Sequence, residues 1–258
     1  MTITKAGVYE VDAPLSQSAA ADCIYIKAAN VTLNLNRQSI TGSGGGAGVH
    51  VAGSANNAFV EGTSALISGF QDGIEIDSQN ALAENFYAES NGDAGVYLKG
   101  ARMARVANFA ANNNKDGVRI SQGTQNTLQN PNCAGNTRYG IWLLATSHNL
   151  VGSFDVEKNA IAGIYEGCWA TGPQNLPCKP AVSASGFNYL FGGLAQGNLA
   201  YGLVIDLGDN SNWIANNVSQ FNQTGDMFDA NADCGKNLWL ANVFGKSNEA
   251  PPPVGCIR

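Results

Sequence analysis

The chain repeats one short motif seven times: a glycine, an aliphatic residue, a variable residue, and a second aliphatic residue or its stand-in. The motifs begin at Gly48, Gly73, Gly95, Gly117, Gly140, Gly163 and Gly202. Successive starts are 25, 22, 22, 23, 23 and 39 residues apart. A period of this length is typical of a solenoid, in which each repeat is one structural unit that stacks on the next. Equivalent positions should therefore form columns along the molecule.

A second pattern lies between the motifs. An asparagine precedes an apolar–any–apolar triplet, and a further asparagine lies roughly four residues before the next glycine. The first set includes Asn57, Asn126, Asn149, Asn188 and Asn212, and the second includes Asn91, Asn113, Asn136, Asn159 and Asn198. Each unit has room for three short strands and for no helix of ordinary length. Three strands per turn predict a triangular coil, with coils ~4.8 Å apart and asparagines stacked along the ladder.

Two segments carry a family resemblance. The run from Asn30 to Asn36, with Ile40-Thr41-Gly42, resembles the entry coil of right-handed parallel β-helix proteins, the group that includes pectate lyases and NosD-like repeat proteins. Asn237-Leu238-Trp239 and the segment ending in Cys256 are similar to their closing coils. The resemblance covers nearly the whole chain. It implies an all-β, single-stranded right-handed parallel β-helix of about nine coils and three parallel sheets, a fold that hosts lyases, hydrolases, epimerases and phage tailspikes.

One continuous period predicts a single domain over residues 1–258. Residues 1–22 are expected to cap the first coil. Residues 229–258 are expected to cap the last, because their prolines cannot continue a strand ladder. The longest interval predicts an inserted loop at 167–182, pinned by a disulfide between Cys168 and Cys178. Open sheet edges at the ends would also allow stacking with a second copy.

Composition limits the classes of partner that the chain is expected to bind and the compartment in which it is expected to occur. The chain has 14 lysines and arginines against 20 acidic residues, with no basic run, which argues against nucleic acid and anionic membranes. No apolar stretch reaches the ~20 residues of a membrane span. The six cysteines include two pairs whose spacing suits disulfides that close loops, Cys168 with Cys178 and Cys234 with Cys256. Disulfides favour a secreted or periplasmic protein whose signal peptide is not in this sequence.

Two further cysteines, Cys23 and Cys133, lie several repeats apart and are expected to be buried free thiols. Trp213 and Trp239 fall in strands whose alternation predicts core positions.

The variable residue of each motif is predicted to face outward, because the apolar residues beside it face the core. The resulting column is Tyr25, His50, Glu75, Tyr97, Arg119, Trp142, Tyr165 and Val204. The outward positions two residues later add Lys27, Asp77, Lys99, Ser121 and Asp206. Pectate lyases and their relatives bind substrate on the corresponding sheet. The resemblance therefore implies a polysaccharide or oligosaccharide partner along this face.

The favoured function is a lyase or epimerase that acts on a uronic-acid polymer. Removing a proton next to a carboxylate needs a neutralising cation, a base and an acid. Arg119 would neutralise the carboxylate, Lys99 or His50 would be the base, and Tyr97 would be the acid. Glu75 and Asp77 could instead hold Ca²⁺, which prefers oxygen ligands. Both Arg119 and Lys99 are expected to be surface positions whose replacement by alanine leaves stability nearly unchanged.

Two alternatives stay open. In a glycoside hydrolase, Glu75 and Asp77 would be the catalytic pair; the strand rise places equivalent atoms about 6.6 Å apart, at the edge of inverting geometry. In a non-catalytic binder, aromatic residues would stack on sugar rings without chemistry. The residues expected to bind sugar are Tyr25, Trp142, Tyr165 and Trp169, the last of them in the inserted loop.

Overall fold

The computed structural model describes residues 1–167, 184–248 and 256–257, and these residues consist almost entirely of short strands separated by tight turns. The strands are β1 (Thr2–Ile3), β2 (Gly7–Glu10), β3 (Leu15–Ser16), β4 (Ile24–Ile26), β5 (Val31–Asn34), β6 (Ile40–Thr41), β7 (Ala47–Val51), β8 (Phe59–Ser68), β9 (Asp72–Ile76), β10 (Leu82–Glu89), β11 (Ala94–Lys99), β12 (Arg105–Ala110), β13 (Asp116–Ser121), β14 (Thr127–Ala134), β15 (Tyr139–Leu144), β16 (Leu150–Gly152), β17 (Asp155–Glu157), β18 (Ala162–Glu166), β19 (Tyr189–Phe191), β20 (Leu194–Gln196), β21 (Tyr201–Ile205), β22 (Trp213–Ala215), β23 (Val218–Gln220), β24 (Gly225–Asp229), β25 (Leu238–Leu240) and β26 (Val243–Phe244). One 3₁₀ turn spans Ala232–Cys234.

The strands stack in parallel as three faces. The first sheet is the ten-stranded series β1-β4-β7-β9-β11-β13-β15-β18-β21-β24, so nine turns of the chain separate its first and last strands. The other sixteen strands form one bent assembly. Its two arms are the second sheet, from β2 to β25, and the third sheet, from β3 to β26. The long strands β8, β10, β12 and β14 cross the bend and belong to both arms. The predicted fold class, a parallel β-solenoid of about nine coils, is confirmed.

The motif glycines are required by the close approach of successive coils. A Cβ on Gly117 would lie 2.5 Å from the carbonyl oxygen of Gly140, and a Cβ on Gly140 would lie 2.5 Å from that of Gly163. Such contacts leave no room for any side chain. The repeated glycine is therefore needed where successive coils pack against each other. This need for glycine fixes the register of the first sheet.

Asparagines form buried ladders along the solenoid. The Asn159 side-chain oxygen accepts hydrogen bonds from the backbone N–H of Asn136 (3.0 Å) and from its amide (2.9 Å). The Asn159 amide in turn donates to the Cys133 carbonyl (3.0 Å) and to Asn198 (3.0 Å). A second ladder runs through Asn126, Asn149, Asn188, Asn212 and Asn237. The ladders satisfy backbone groups at turns where the strand pairing is interrupted.

One continuous core fills the coil interior from Ile3 to Ile257. Cys23 and Cys133 are buried in it as free thiols, as expected, and Cys234 is bonded to Cys256. Trp239 is buried as predicted, but the prediction for Trp213 is wrong, because its side chain is 42% exposed. The inward residue of β22 is Ile214, so Trp213 faces outward and packs edge-on against Tyr189.

The two ends of the chain are themselves coils. Residues 1–22 contain β1, β2 and β3, which pair in parallel with β4, β5 and β6. At the other end, β25 and β26 continue the second and third sheets, and the Cys234–Cys256 disulfide lies beside them. Of the inserted loop predicted at 167–182, only Gly167 belongs to the described residues, and Cys168, Trp169 and Cys178 lie outside them. No helix in the described ranges has the length and apolar character needed to cross a membrane.

Candidate functional site on the first sheet

The outward column follows the predicted register over eight strands. Tyr25 pairs with His50, His50 with Glu75, Glu75 with Tyr97, and Tyr97 with Arg119. The series continues through Trp142, Tyr165 and Val204. The side chains from Tyr25 to Trp142 are half-buried, so each keeps part of its surface accessible from solvent. The register brings residues that are distant in sequence into adjacent positions one coil apart.

His50 is held between two carboxylates. Its Nδ1 lies 2.8 Å from Asp22 Oδ2 and its Nε2 lies 3.3 Å from Asp77 Oδ2. The ring stacks on Tyr25, with ring centroids 4.6 Å apart. Burial alone would lower the pKa of His50, but the hydrogen bonds to Asp77 and Asp22 and the negative charge of Glu75 raise it to about 9. His50 is therefore an imidazolium at neutral pH.

Glu75, Lys99 and Tyr97 form the next part of the site. Lys99 Nζ lies 3.3 Å from Glu75 Oε1, and its side chain is 56% exposed. The charge of Glu75 and this hydrogen bond raise the pKa of Lys99, so the ammonium form is stabilised. The Tyr97 hydroxyl lies 3.0 Å from Ser121 Oγ. Lys99 is thus a far more exposed cation than Arg119, and Tyr97 carries its polar hydroxyl beside it.

His50, Glu75 and Asp77 offer three metal-ligand atoms that all lie within 4.8 Å of one another. The carboxylate oxygens suit Ca²⁺, whereas the imidazole nitrogen suits transition ions better. Each carboxylate already faces a cation, Lys99 or His50. Glu75 and Asp77 fit a Ca²⁺ ion only if these two ion pairs open.

The spacing of Glu75 and Asp77 differs from the prediction. Their nearest oxygens lie within 4.8 Å, which is shorter than the ~6.5 Å lower limit of an inverting pair. Both side chains lean toward His50, which closes the distance that the strand rise alone would give. The pair is closer to the ~5 Å separation of retaining glycosidases.

Arg119 is not a free cation on the surface, contrary to the expectation. It donates to both oxygens of Asp93, at 2.8 and 2.5 Å, and to Asp116 Oδ2 at 2.7 Å. Its side chain is 12% exposed and lies between the rings of Tyr97 and Trp142, at 5.1 and 5.2 Å. Two carboxylates therefore already neutralise the guanidinium that was expected to bind a substrate carboxylate.

The aromatic part of the column is more enclosed than expected. Trp142 donates from Nε1 to the Gly167 carbonyl (2.9 Å) and contacts the Arg138 guanidinium, 4.3 Å from its ring centroid. Tyr165 is 1% exposed, stacks on Tyr139 and donates to Asp206 Oδ2 (2.8 Å). Tyr165 therefore presents no face to a sugar ring, whereas Tyr25 and Trp142 keep part of theirs. Trp169 lies outside the described residues.

Sequence reasoning missed the acids and the arginine that support the column. Asp22, Asp72 and Asp116 each immediately precede a motif, and Asp22 and Asp72 accept the backbone N–H of the next coil at 2.9 Å. Asp116 instead pairs with Arg119 and with the buried Arg138. An aspartate directly before Cys23, Gly73 and Gly117 was a detectable signal. Nothing local marked Arg138, because its role depends on the coil before it.

The family model described as a right-handed β-helix region matches residues 22–176. The chain belongs to this family. A search of curated protein sequences finds no significant match.

Solved structures share the fold at low sequence identity. The Dettilon tailspike protein gp208 is 17% identical with a TM-score of 0.78, over 94% of this chain and 52% of that chain. The alginate lyase from Paenibacillus sp. str. FPU-7 is 14% identical with a TM-score of 0.57, over 94% and 97% of the two chains. The mannuronan C-5 epimerase AlgE4 A-module of Azotobacter vinelandii is 13% identical with a TM-score of 0.68, over 92% and 68%. This chain thus spans about half the length of the tailspike chain. These similarities establish the fold alone.

Proposed function

We propose that this protein binds a uronic-acid polysaccharide along the outer face of the first sheet and acts on it as a lyase or epimerase. The observation that carries the proposal is the unbroken register of Tyr25, His50, Glu75 and Tyr97, which gathers acid–base groups on one accessible face. Structural neighbours named as an alginate lyase and a mannuronan epimerase support this chemistry.

The residue roles follow from the charges of the site. Lys99 takes the neutralising role, because Arg119 is already paired and Lys99 is the more exposed cation. His50 accepts the proton next to the sugar carboxylate after losing its own proton, and Asp22 holds the ring through Nδ1. Tyr97 donates a proton to the leaving oxygen in a lyase, or returns a proton to the sugar carbon in an epimerase.

An extracytoplasmic location is part of the proposal. The Cys234–Cys256 disulfide favours an oxidising compartment, and one structural neighbour is a periplasmic alginate epimerase. A polymeric substrate outside the cytoplasm is consistent with both observations.

The activity test uses the purified protein with a panel of uronate polymers. A lyase produces a carbon–carbon double bond that absorbs in the ultraviolet, and an epimerase exchanges the sugar proton with deuterium from D₂O without cleaving the chain. His50→Gln and Lys99→Ala should each lower the rate roughly 100-fold or more. Lys158→Ala, at a 77%-exposed lysine in the turn after β17, is the charge-matched control and should leave the rate unchanged. Neither product from any polymer would refute the proposal.

The pH dependence offers a second test. His50 must be neutral to act as the base, and its pKa is about 9. We expect the rate to rise from pH 7 and to level off above about pH 9. A rate–pH profile measured with saturating polymer checks this, and a rate that is flat between pH 7 and 9 would remove His50 from the base role.

A hydrolase remains the second candidate, favoured by the close approach of Glu75 and Asp77. New reducing ends without ultraviolet absorbance would identify it, and Asp77→Asn would then abolish cleavage. Retarded migration in a polysaccharide gel without any product would identify a binder. Loss of activity after EDTA treatment, and recovery with Ca²⁺, would assign Glu75 and Asp77 as ligands.

A further inference from the structure

A concave groove of about 410 Å³ lies where the second and third sheets meet, away from the first-sheet column. Here β8, β10, β12 and β14 bend sharply. Each bend contains a residue in the left-handed conformation: Ser64, Asn85, Asn108 and Asn130 have φ of 67°, 60°, 52° and 52°, and in β8 Thr63 also adopts it, with φ of 49°. The bend turns the outer faces of the two arms toward each other, so the repeat builds a recess in the middle of the solenoid.

On the third-sheet side of the groove, a large, a small and a polar side chain follow one another on successive coils. Tyr87 pairs with Ala110, and Ala110 pairs with Asn132. Tyr87 and Asn132 are therefore two coils apart, ~10 Å along the stacking direction, with only a methyl group between them. Tyr87 is 45% exposed, so its ring forms one wall of a slot. The stacked rings of Phe86 and Phe109 lie beneath it.

The lining of the groove is polar and uncharged. Besides Tyr87, it presents the side chains of Ser64, Asn85, Asn108, Asn112, Asn130 and Asn132. The Asn130 amide donates to Asn108 (2.8 Å), which fixes both side chains in one orientation. Within the described residues, the Tyr87 hydroxyl and the Asn132 amide have no hydrogen-bond partner. Their donors and acceptors are available to a ligand.

Charge distinguishes this groove from the first sheet. None of the described lining residues is charged, and two acids beside the groove, Glu61 and Glu89, accept hydrogen bonds from Asn85 and Asn112. Acidic sugars and phosphates would find no cation among the described lining residues and two carboxylates nearby. Sugar hydroxyls can hydrogen-bond to side-chain amides, and the exposed ring of Tyr87 can stack on the apolar face of a pyranose.

We propose that this groove is a second carbohydrate site, which binds an uncharged oligosaccharide independently of the first-sheet column. The slot between Tyr87 and Asn132 holds one sugar ring over Ala110. The amides of Asn108 and Asn130 contact the neighbouring unit. The protein then has two faces with different ligand chemistry, one for charged sugars and one for neutral sugars.

The test is calorimetric titration of the whole chain with cellohexaose, maltohexaose, xylohexaose and mannohexaose, with a uronate oligosaccharide as the charged comparison. At least one neutral oligosaccharide should bind. Tyr87→Ala and Asn132→Ala should each weaken its affinity about tenfold or more, and Ala110→Arg should block it. Leu66→Ala is the matched control, because Leu66 is the exposed neighbour of Tyr87 in the same column and does not line the groove.

Thermal unfolding of each variant separates loss of affinity from loss of folding. If no neutral oligosaccharide binds, or if Tyr87→Ala and Asn132→Ala bind as tightly as the parent, the proposal is overturned. It is also overturned if His50→Gln or Lys99→Ala abolishes the binding, since the ligand would then occupy the first sheet. Binding retained in a protein without any activity on uronate polymers would support this site while refuting the proposed function.

Discussion

At the residue scale, partners determine what Arg119 can do. It occupies an outward position, yet Asp93 and Asp116 enclose its guanidinium, and Asp116 is fully buried. Removing one partner of a buried ion pair leaves an uncompensated charge. Arg119 is therefore better described as a positioning residue, which holds Tyr97 and Trp142 on its two sides, than as a ligand for substrate.

This ion pair should contribute measurably to the stability of the protein. Arg119→Ala should lower the free energy of unfolding by about 3 kcal/mol, the low end of the range for buried pairs, because Arg138 still neutralises Asp116. Lys99→Ala, at an exposed lysine in the adjacent strand, should change it by less than about 0.5 kcal/mol. Urea unfolding measures both. Equal, small effects would restore the original interpretation of Arg119 as a solvent-facing cation.

Glu166 is a buried acid at a position where the repeat normally has an aliphatic residue. One of its oxygens accepts from Asn188 (3.0 Å), and the other has no hydrogen-bond partner within the described residues. Burial, followed by the charge of Asp209, raises the pKa of Glu166 to about 8. Burial likewise raises the pKa of Asp209 to about 7. The folded protein therefore favours the protonated form of both groups.

This arrangement predicts how stability depends on pH. Between the ordinary glutamate pKa of 4.5 and about 8, the unfolded chain ionises Glu166 before the folded chain does, so stability falls as pH rises. His50 acts in the same direction, because its stabilising imidazolium form is lost as pH rises toward about 9. Melting temperature should be higher at pH 5 than at pH 8.5.

Glu166→Gln tests which group is responsible. The variant keeps the shape but cannot ionise, so it should be more stable than the parent at pH 8.5 and no more stable at pH 4. Asp226→Asn, at another buried acid in the solenoid, controls for a general effect of removing an acid. An unchanged slope of melting temperature against pH in Glu166→Gln would show that Glu166 is already ionised in the fold.

At the scale of the element, the asparagine ladders connect the turns of successive coils, where no strand pairing connects them. Asn159→Ala should destabilise the protein by about 1–3 kcal/mol, because the buried N–H of Asn136 and the carbonyl of Cys133 lose their partners. Asn132→Ala is the control at an exposed asparagine without a ladder bond and should be nearly neutral. Thermal unfolding distinguishes the two, and a neutral Asn159→Ala would mean that water replaces the ladder.

Which residues of a strand face outward was predictable where the repeat is regular, and the prediction was wrong where the repeat is irregular. The glycine motif fixes which residue faces outward, because its close contacts allow one register only, as at Gly117. The second sheet has no such marker. Trp213 and Trp239 occur in similar short apolar triplets, and nothing in these triplets shows that Trp213 is the first residue of its strand and Trp239 the middle one.

At the scale of the whole molecule, the last coils depend on the C-terminal disulfide. Replacing Cys234 and Cys256 together by serine should lower stability by about 3 kcal/mol, since the bond closes a loop of 22 residues. Because a solenoid coil contacts only its neighbours, the loss should be local. Hydrogen exchange should accelerate in β24–β26 and stay unchanged in β9–β13. Uniform acceleration along the chain would indicate a single cooperative unit.

The sequence by itself determined the solenoid, the outward register of the first sheet, the buried cysteines and the asparagine columns, except that Asn114 and not Asn113 occupies its column. Each of these features follows from a period that repeats along the chain. The tertiary structure decided the ionic partners of Arg119 and His50, the burial of Tyr165 and the groove at Tyr87. These depend on residues one or two coils away, and on the angle between two sheets, which no local pattern encodes. Neighbours in a solenoid are some 23 residues apart in sequence, so the chemistry of each side chain is set by a different repeat from its own.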